Sequence, residues 1–261
     1  GYGKAAGNIL KYIEKQRTVY GYNLEFIEHE MHALGITKQI CEETGISYAC
    51  MPDKRELAAY LCAVTEKTLI VSASNNFLSP VQCVEKQNIT IINFHNALLP
   101  EYPGRNAPSW VIYMGEQETG ITWHYVTAGI DEGNIIIQKR CGIGPEDKAY
   151  ELTQRLMDLA CEGFEESFAA VLEERVETKS QGEISGRRMY RSYEVPADGL
   201  FDMADMPENI YRLLRSVDYG KNDIFPLMRF PLNRISPEDT GLILVMARPM
   251  VVLPDPDSPT R

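Results

Sequence analysis

Three polar side chains near the middle of the chain, Asn93, His95 and Asp131, are of the types needed for acid–base chemistry at a carbonyl group. Asn93 and His95 are two residues apart at the end of an apolar run, and side chains at this spacing point to the same face of a strand. An amide and an imidazole can both stabilise a negative oxygen, while a carboxylate can orient the imidazole or relay protons through water. The three residues therefore suit attack of an amine on a carbonyl carbon, without a metal ion or a covalent nucleophile.

Each of these residues also has an ordinary structural explanation. Asn93 could simply end a strand, and His95 could be a half-buried histidine with satisfied hydrogen bonds. His124 could line the same pocket or only occupy a strand position. A complete acid–base set in one cleft is what the chemistry requires, so we predict catalytic roles for Asn93, His95 and Asp131 and assign His124 to substrate binding.

The elements around these residues predict an α/β fold. Over the first half of the chain, helical and strand-like patterns alternate, which is typical of a Rossmann-like, doubly wound and mainly parallel sheet flanked by helices. The continuous apolar run 89–94 is typical of a buried parallel strand. Polar residues that follow such a strand lie where open α/β sheets bind their ligands, so Asn93 and His95 are expected at that edge.

The same patterns give bounds for the elements. Strands are predicted at 24–27, 46–50, 68–72, 89–94, 120–126, 134–139 and 242–247, and helices at 6–15, 37–43, 55–64, 80–86, 108–114, 145–172 and 207–217. Pro145 and Glu146 favour the start of the long helix, since proline fits a first turn and an acidic side chain is stabilised there. We predict a catalytic domain over residues 1–180 and a small C-terminal subdomain, or linker plus tail, over 181–261.

The N-terminal segment 1–7 has the glycine pattern of a turn between a strand and a helix. No strand precedes it in the sequence, so an N-terminal strand could be missing from the chain. A turn at a helix N-terminus can bind an anion through free N–H groups, but without its strand a dinucleotide site is weakly supported. We favour a structural turn and keep a substrate-phosphate contact as the alternative.

Composition narrows the classes of function. The formal net charge of −11 argues against a surface that neutralises nucleic-acid phosphates. Every apolar stretch is shorter than the roughly 20 residues of a membrane helix. The six cysteines are scattered without a CxxC pair, and no signal peptide precedes them. We therefore expect reduced thiols, no metal site, no membrane contact and a cytoplasmic protein.

The motifs around the catalytic candidates follow one another in a specific order. They are NFHNALLPEYPG at 93–104, TGITWH at 119–124 and IDEGN at 130–134. This series resembles the folate-dependent formyltransferase superfamily, which includes methionyl-tRNA, amino-sugar and glycinamide ribonucleotide formyltransferases. The resemblance implies transfer of a formyl group from 10-formyltetrahydrofolate to an amine.

The resemblance also implies where the folate co-substrate binds. The pterin is expected between the loop that follows the strand at 68–72 and the loop 127–131. Recognition there is implied to be largely through main-chain hydrogen bonds, with apolar side chains as walls. The candidate folate-binding residues are Asn75, Phe77, Leu78, Ser79, Thr127 and Ile130.

The acceptor amine is less determined than the donor. Arg105, Asn106 and His124 are the candidate acceptor contacts, although Arg105 and Asn106 could equally serve a structural role. The YPG at 102–104 resembles the glycinamide ribonucleotide branch, whereas GRNAPSW at 104–110 resembles the tRNA and aminoarabinose branches. The mixture leaves the acceptor open.

The C-terminal segment from Met189 to Arg261 bears on this choice. It contains eight Lys and Arg against eleven Asp and Glu, a net charge of −3, and a tail that holds tRNA should be basic. We therefore favour a small-molecule amine, with a nucleotide-linked amino sugar first, over methionyl-tRNA. A 10-formyltetrahydrofolate hydrolase and a catalytically silent folate-binding module are the alternatives from other classes, and a homodimer is compatible with all of them.

Overall fold

The computed structural model describes residues 3–29, 35–74, 77–182, 188–199 and 206–220. In these parts of the chain, the strands are β1 (Glu25–Glu28), β2 (Ser47–Cys50), β3 (Thr68–Ser72), β4 (Ile89–His95), β5 (Glu118–Tyr125) and β6 (Ile135–Gly142). The helices are α1 (Gly3–Tyr20), α2 (Ile36–Thr44), α3 (Lys54–Ala63), α4 (Val81–Val84), α5 (Ala107–Met114), α6 (Ala149–Leu172) and α7 (Pro207–Val217), with a 3₁₀ turn at Pro196–Gly199. The strand predicted at 242–247 lies outside the described residues.

The strands form two hydrogen-bonded sheets. β1 pairs with β2 in parallel, and a four-stranded sheet has the order β3-β4-β5-β6. β3 and β4 are parallel, whereas β5 and β6 run antiparallel to their neighbours. The predicted α/β, Rossmann-like fold is confirmed, and its antiparallel extension places β5 directly beside the end of β4.

The main core lies between the four-stranded sheet and helices α1 and α6. Trp123 on β5 is fully buried and contacts the ring of Phe164 on α6. The indole Nε1 of Trp123 donates a hydrogen bond of 2.9 Å to the carbonyl of Ala160. Because a buried indole N–H needs a partner, this bond fixes β5 against the helix and with it the position of the next residue, His124.

The structure corrects two predictions, the start of α6 and the glycine turn before α1. α6 begins at Ala149, so Pro145 and Glu146 lie in the preceding turn and not in the helix. The cause is Asp147, whose carboxylate accepts the N–H of Gly144 at 2.6 Å and closes a separate turn. Residues 3–7 of the predicted glycine turn belong to the first two turns of α1, and residues 1 and 2 lie outside the described chain.

The cysteines also depart from expectation. Cys62 on α3 and Cys83 on α4 form a disulfide, with their Cα atoms 5.1 Å apart. The two helices pack side by side over a small apolar cluster, which brings these cysteines within bonding distance although they are 21 residues apart. The expectation of reduced thiols is therefore wrong for this pair. As for membranes, none of the described helices combines the length and the apolar character that a bilayer span demands.

Candidate functional site

The site forms where the carboxyl end of β4 meets β5. Asn93 and His95 lie near the end of β4, and the antiparallel register sets Asn93 opposite His124 of β5. On the other side of β4, the parallel register sets Asn93 opposite Ser72, the last residue of β3. Asn93 is thus flanked by a hydroxyl on one neighbouring strand and an imidazole on the other.

Both ends of the Asn93 amide are engaged by these neighbours. Its Oδ1 accepts a hydrogen bond of 2.8 Å from Ser72 Oγ, and its Nδ2 lies 3.2 Å from Nε2 of His124. His124 Nδ1 lies 2.9 Å from the Tyr125 carbonyl, which can only accept, so Nδ1 carries the proton and Nε2 accepts from Asn93. The amide is therefore oriented with its NH₂ group towards the centre of the site, with one N–H left for a substrate.

His95 is buried, with 5% of its surface exposed. Its Nε2 lies 2.8 Å from the Tyr102 carbonyl, so this nitrogen donates, and its Nδ1 lies 3.5 Å from Oδ2 of Asp131. Burial lowers the pKa of His95 below its ordinary 6.5, and this effect outweighs the opposing influence of the Asp131 charge. At neutral pH, Nδ1 is consequently an unprotonated base that faces a carboxylate.

Asp131 completes the cluster from the loop between β5 and β6. Its Oδ2 accepts the backbone N–H of Gly104 at 2.8 Å, and its Oδ1 lies 3.5 Å from Nε2 of His124. Burial alone would raise the pKa of the carboxyl, but His95, His124 and the Gly104 N–H together lower it below its ordinary value. Asp131 is therefore an anion that touches both histidines of the site.

The loop from residue 96 to residue 104 supplies the main-chain groups. Thr122 on β5 holds its start, because its Oγ1 accepts from Leu99 N at 3.0 Å and donates to Ala97 O at 2.7 Å. Gly104 has φ 96°, and a Cβ there would lie 2.1 Å from the Tyr190 carbonyl. Only glycine fits such a left-handed, crowded position, and it is the one that presents its N–H to Asp131.

The candidate folate-binding residues lie in the two predicted loops. Those after β3 differ in exposure: Phe77 is half-buried against the ring of His29, at 5.5 Å between centroids, while Leu78 is 71% exposed. Ser79 is half-buried, and Thr127 and Ile130 are exposed beside Asp131. Asn75 lies outside the described residues. The first of these loops follows Ser72, which lies opposite Asn93, and the second leads into Asp131.

The candidate acceptor residues are placed differently from one another. His124 is 2% exposed and lies within the cluster, in contact with both Asn93 and Asp131. Arg105 is exposed, and its backbone N–H donates to the Tyr190 carbonyl at 2.8 Å. Asn106 has φ 58° and precedes α5. The structure thus brings His124 into contact with the catalytic candidates.

Two residues that contact the site were not predicted. Ser72 closes an apolar strand and looks like a simple strand end, although knowledge of the β3–β4 register would have pointed to it. Gln181 lies in the segment interpreted as a linker, and it donates to the main chain of the Asp131 loop. Among the described residues, no group of three or more His, Cys, Asp or Glu side chains could hold a metal ion.

Sequence comparison links this arrangement to known enzymes. Residues 27–167 match the family profile described as formyl transferase. Methionyl-tRNA formyltransferase of Geobacter metallireducens is 30% identical over 181 residues, which make up 68% of this chain and 57% of that enzyme. The chain therefore spans less than two thirds of the length of this relative.

Solved structures agree at the level of the fold. A 4-N formyltransferase from Francisella tularensis superposes with a TM-score of 0.66 at 16% identity, over 81% of this chain and 86% of that chain. The N-formyltransferase from Helicobacter canadensis, solved with folinic acid and dTDP-3-aminofucose, superposes with a TM-score of 0.59 at 19% identity, over 82% of this chain and 77% of that chain. At these identities the likeness concerns the fold alone.

Proposed function

Because the chain belongs to the formyl transferase family, we propose that it transfers a formyl group from 10-formyltetrahydrofolate to a primary amine of a small-molecule acceptor. One observation carries the proposal: the amide of Asn93, the imidazole of His95 and the carboxylate of Asp131 converge in one cluster at the end of β4. The neutral base, the anion and the directed N–H are the groups that acyl transfer to an amine requires.

Each chemical step has a group in this cluster. The acceptor nitrogen forms a bond to the formyl carbon, and the carbonyl π electrons move onto oxygen, where the second N–H of Asn93 stabilises the charge. The acceptor nitrogen loses a proton to Nδ1 of His95, and the imidazolium is held between Asp131 and the Tyr102 carbonyl. As the intermediate collapses, the C=O bond re-forms, the bond from carbon to N10 of the folate breaks, and N10 takes up the proton held on Nδ1 of His95.

The folate site of the proposal rests on the loops beside the cluster. We propose that Phe77 and Leu78 after β3, with Thr127 and Ile130 before Asp131, line the folate site with apolar side chains and main-chain groups. The Helicobacter canadensis relative was solved with folinic acid, a formylated folate, which supports a formyl-folate as the donor here.

For the acceptor, we propose a nucleotide-linked amino sugar. The Helicobacter canadensis structure contains dTDP-3-aminofucose, and the acidic balance of this chain, −11 overall, disfavours a large polyanion such as tRNA. Methionyl-tRNA is the second candidate, because the 30% identical Geobacter metallireducens relative acts on it by name. We further propose that residues 1–180 form the catalytic domain, with 181–261 as a smaller C-terminal region.

The experiment that tests these proposals is a transfer assay with 10-formyltetrahydrofolate and three acceptor conditions: amino-sugar nucleotides, methionyl-tRNA, and none. Tetrahydrofolate is followed by absorbance and the formylated product by mass spectrometry. We expect stoichiometric tetrahydrofolate and formylated amino-sugar nucleotide, with both formed at least about 100-fold more slowly by the Asn93→Ala variant. Formate release at the same rate without any amine would identify a hydrolase, and formylation of methionyl-tRNA alone would identify the second candidate.

A further inference from the structure

Gln181 lies 50 residues beyond Asp131 in the chain and contacts the turn that carries it. After α6 the chain returns along the start of β6, where Lys179 and Ile135 exchange two main-chain hydrogen bonds of 2.8 and 2.9 Å. Two residues further on, Gln181 enters the protein interior, with 8% of its surface exposed. A polar side chain buried in this way needs specific partners.

The side-chain NH₂ of Gln181 bridges two carbonyls of the Asp131 turn. Its Nε2 donates to the Asp131 carbonyl at 2.8 Å and to the Gly133 carbonyl at 2.7 Å. One amide therefore spans the residue that carries the carboxylate and the residue two positions later. Between these two bonds the backbone of the turn has little freedom to rotate.

The backbone of the turn explains why such a restraint matters. Asp131 has φ 55°, in the left-handed region that non-glycine residues rarely adopt. Such conformations persist only when surrounding contacts hold them. The carboxylate itself is held by the Gly104 N–H at 2.8 Å, and Gln181 holds the main chain of the same residue from the other side.

We propose that Gln181 is a positioning residue for catalysis: its amide clamps the strained turn and thereby fixes the Asp131 carboxylate against His95. The inference rests on the proposed formyl transfer for its catalytic meaning. Gln181 bonds to the main chain of the turn, so it acts through Asp131. The residues that follow α6, up to Gln181, are then part of the active-site architecture.

The chain offers a matched control for the test. Asn88 makes the same kind of bridge elsewhere, because its Nδ2 donates to the carbonyls of Val64 at 3.2 Å and Glu66 at 3.0 Å. Gln181→Met removes the donor while nearly preserving side-chain length, and Asn88→Leu does the same at the control loop. Gln181→Glu replaces the donor with acceptors that face two carbonyls. Circular dichroism and thermal unfolding select the variants that fold.

The first readout needs no turnover. The four histidines of the chain are followed by NMR of their imidazole carbons over a pH series, and His95 is assigned with His95→Gln. Since the Asp131 charge raises the pKa of His95, displacement of the carboxylate in Gln181→Met should move the His95 midpoint to lower pH. Asn88→Leu should leave that midpoint where it is in the wild type.

The second readout is steady-state formyl transfer. A misplacement of about 1 Å in a catalytic group can reduce turnover roughly 100-fold, so we expect kcat of Gln181→Met and Gln181→Glu to fall by that order, with KM for the folate little changed. Asn88→Leu should keep the wild-type kcat.

The two readouts separate the inference from the proposed function. If the wild type formylates no acceptor, formyl transfer is refuted, while the His95 midpoints still decide whether Gln181 holds Asp131. If the wild type is active, a folded Gln181→Met protein must change both kcat and the His95 midpoint. A wild-type value for either quantity overturns the role of Gln181.

Discussion

The side chains of Ser72 and Asn93 are joined across two parallel strands by a hydrogen bond of 2.8 Å, from the Ser72 hydroxyl to the amide oxygen of Asn93. The two residues are in register, as the last residue of β3 and its partner on β4. Because the oxygen of the amide is engaged in this way, its NH₂ group must point towards His124 and the centre of the site. The hydroxyl therefore selects one of the two orientations that an asparagine side chain can adopt.

Removing this hydroxyl should reduce catalysis more than it reduces stability. In Ser72→Ala the side-chain amide of Asn93 can flip, which exchanges the positions of its oxygen and its NH₂ group. We expect kcat to fall about tenfold, equivalent to the roughly 1.4 kcal/mol that one such hydrogen bond is worth. Ser72→Thr retains a hydroxyl and should keep most of the activity. Steady-state kinetics check both variants.

The control for this prediction is a serine outside the site. Ser167 donates to the Gly163 carbonyl at 2.8 Å within α6, so Ser167→Ala loses a comparable bond without touching Asn93. Its kcat should equal that of the wild type. Equal losses in Ser72→Ala and Ser167→Ala would mean that the effect of Ser72 is only structural.

The three catalytic candidates should behave as one unit. We expect Asn93→Ala, His95→Ala and Asp131→Ala each to lower kcat about 100- to 10,000-fold, the range that a positioned acid or base contributes. Because His95 and Asp131 act on the same proton, the double variant of these two residues should be scarcely slower than the less active of the two single variants. Single-turnover rates measure this, and circular dichroism confirms folding. Wild-type rates in His95→Ala would remove the imidazole from the mechanism.

The pH dependence follows from the state of His95. Burial lowers its pKa below 6.5, while Asp131 raises it and the charges of His124 and Arg105 lower it. Nδ1 must be unprotonated to accept a proton, so kcat/KM should be constant at neutral pH and fall as the pH drops through the lowered pKa. The acid limb is therefore expected below pH 6.5.

Substitution of Asp131 tests whether its charge raises the pKa of His95. Asp131→Asn removes the charge that favours the imidazolium, so the remaining activity should show its acid limb at lower pH than the wild type. The pH profile of kcat/KM for both proteins is the measurement. An acid limb that shifts upwards in Asp131→Asn would assign the limb to a different group.

Periodicity predicted the elements that depend on local sequence. The strand at 68–72 and the helix at 207–217 have the bounds that the structure gives, and β4 runs one residue further than predicted, to His95. The family membership implied by the motif series is confirmed. These features could be predicted because a periodic pattern of apolar residues, a helix cap or an ordered motif lies within a short stretch of sequence.

The remaining contacts could not be predicted because distant backbone determines them. Nothing in the sequence around His95 indicates that its Nε2 meets the Tyr102 carbonyl, since this depends on the path of the loop. The bond of Gln181 to Asp131 crosses 50 residues. The predicted start of α6 was wrong because the residues assigned to the first turn of the helix form the separate turn that Asp147 closes.

Gly104 should be the position in this loop that tolerates a side chain least. Its φ is 96°, a Cβ would lie 2.1 Å from the Tyr190 carbonyl, and its N–H binds Asp131. Gly104→Ala must therefore shift the backbone of residue 104 or that of Tyr190. Either shift should disturb the bond to Asp131 and lower both the free energy of unfolding and kcat.

Gly21→Ala is the control that separates the effect of backbone strain from the effect of a steric clash. Its φ is 70°, but a Cβ there would meet nothing within 4 Å, so Gly21→Ala carries the backbone strain without the clash. We expect Gly21→Ala to lose about 1–2 kcal/mol of stability with an unchanged kcat. Gly104→Ala should lose more stability, because the steric clash adds to the strain, and its kcat should fall towards that of Asp131→Ala. Urea unfolding and transfer kinetics on the two variants measure both quantities. A Gly104→Ala protein with wild-type kcat would show that the Gly104 N–H does not position the carboxylate.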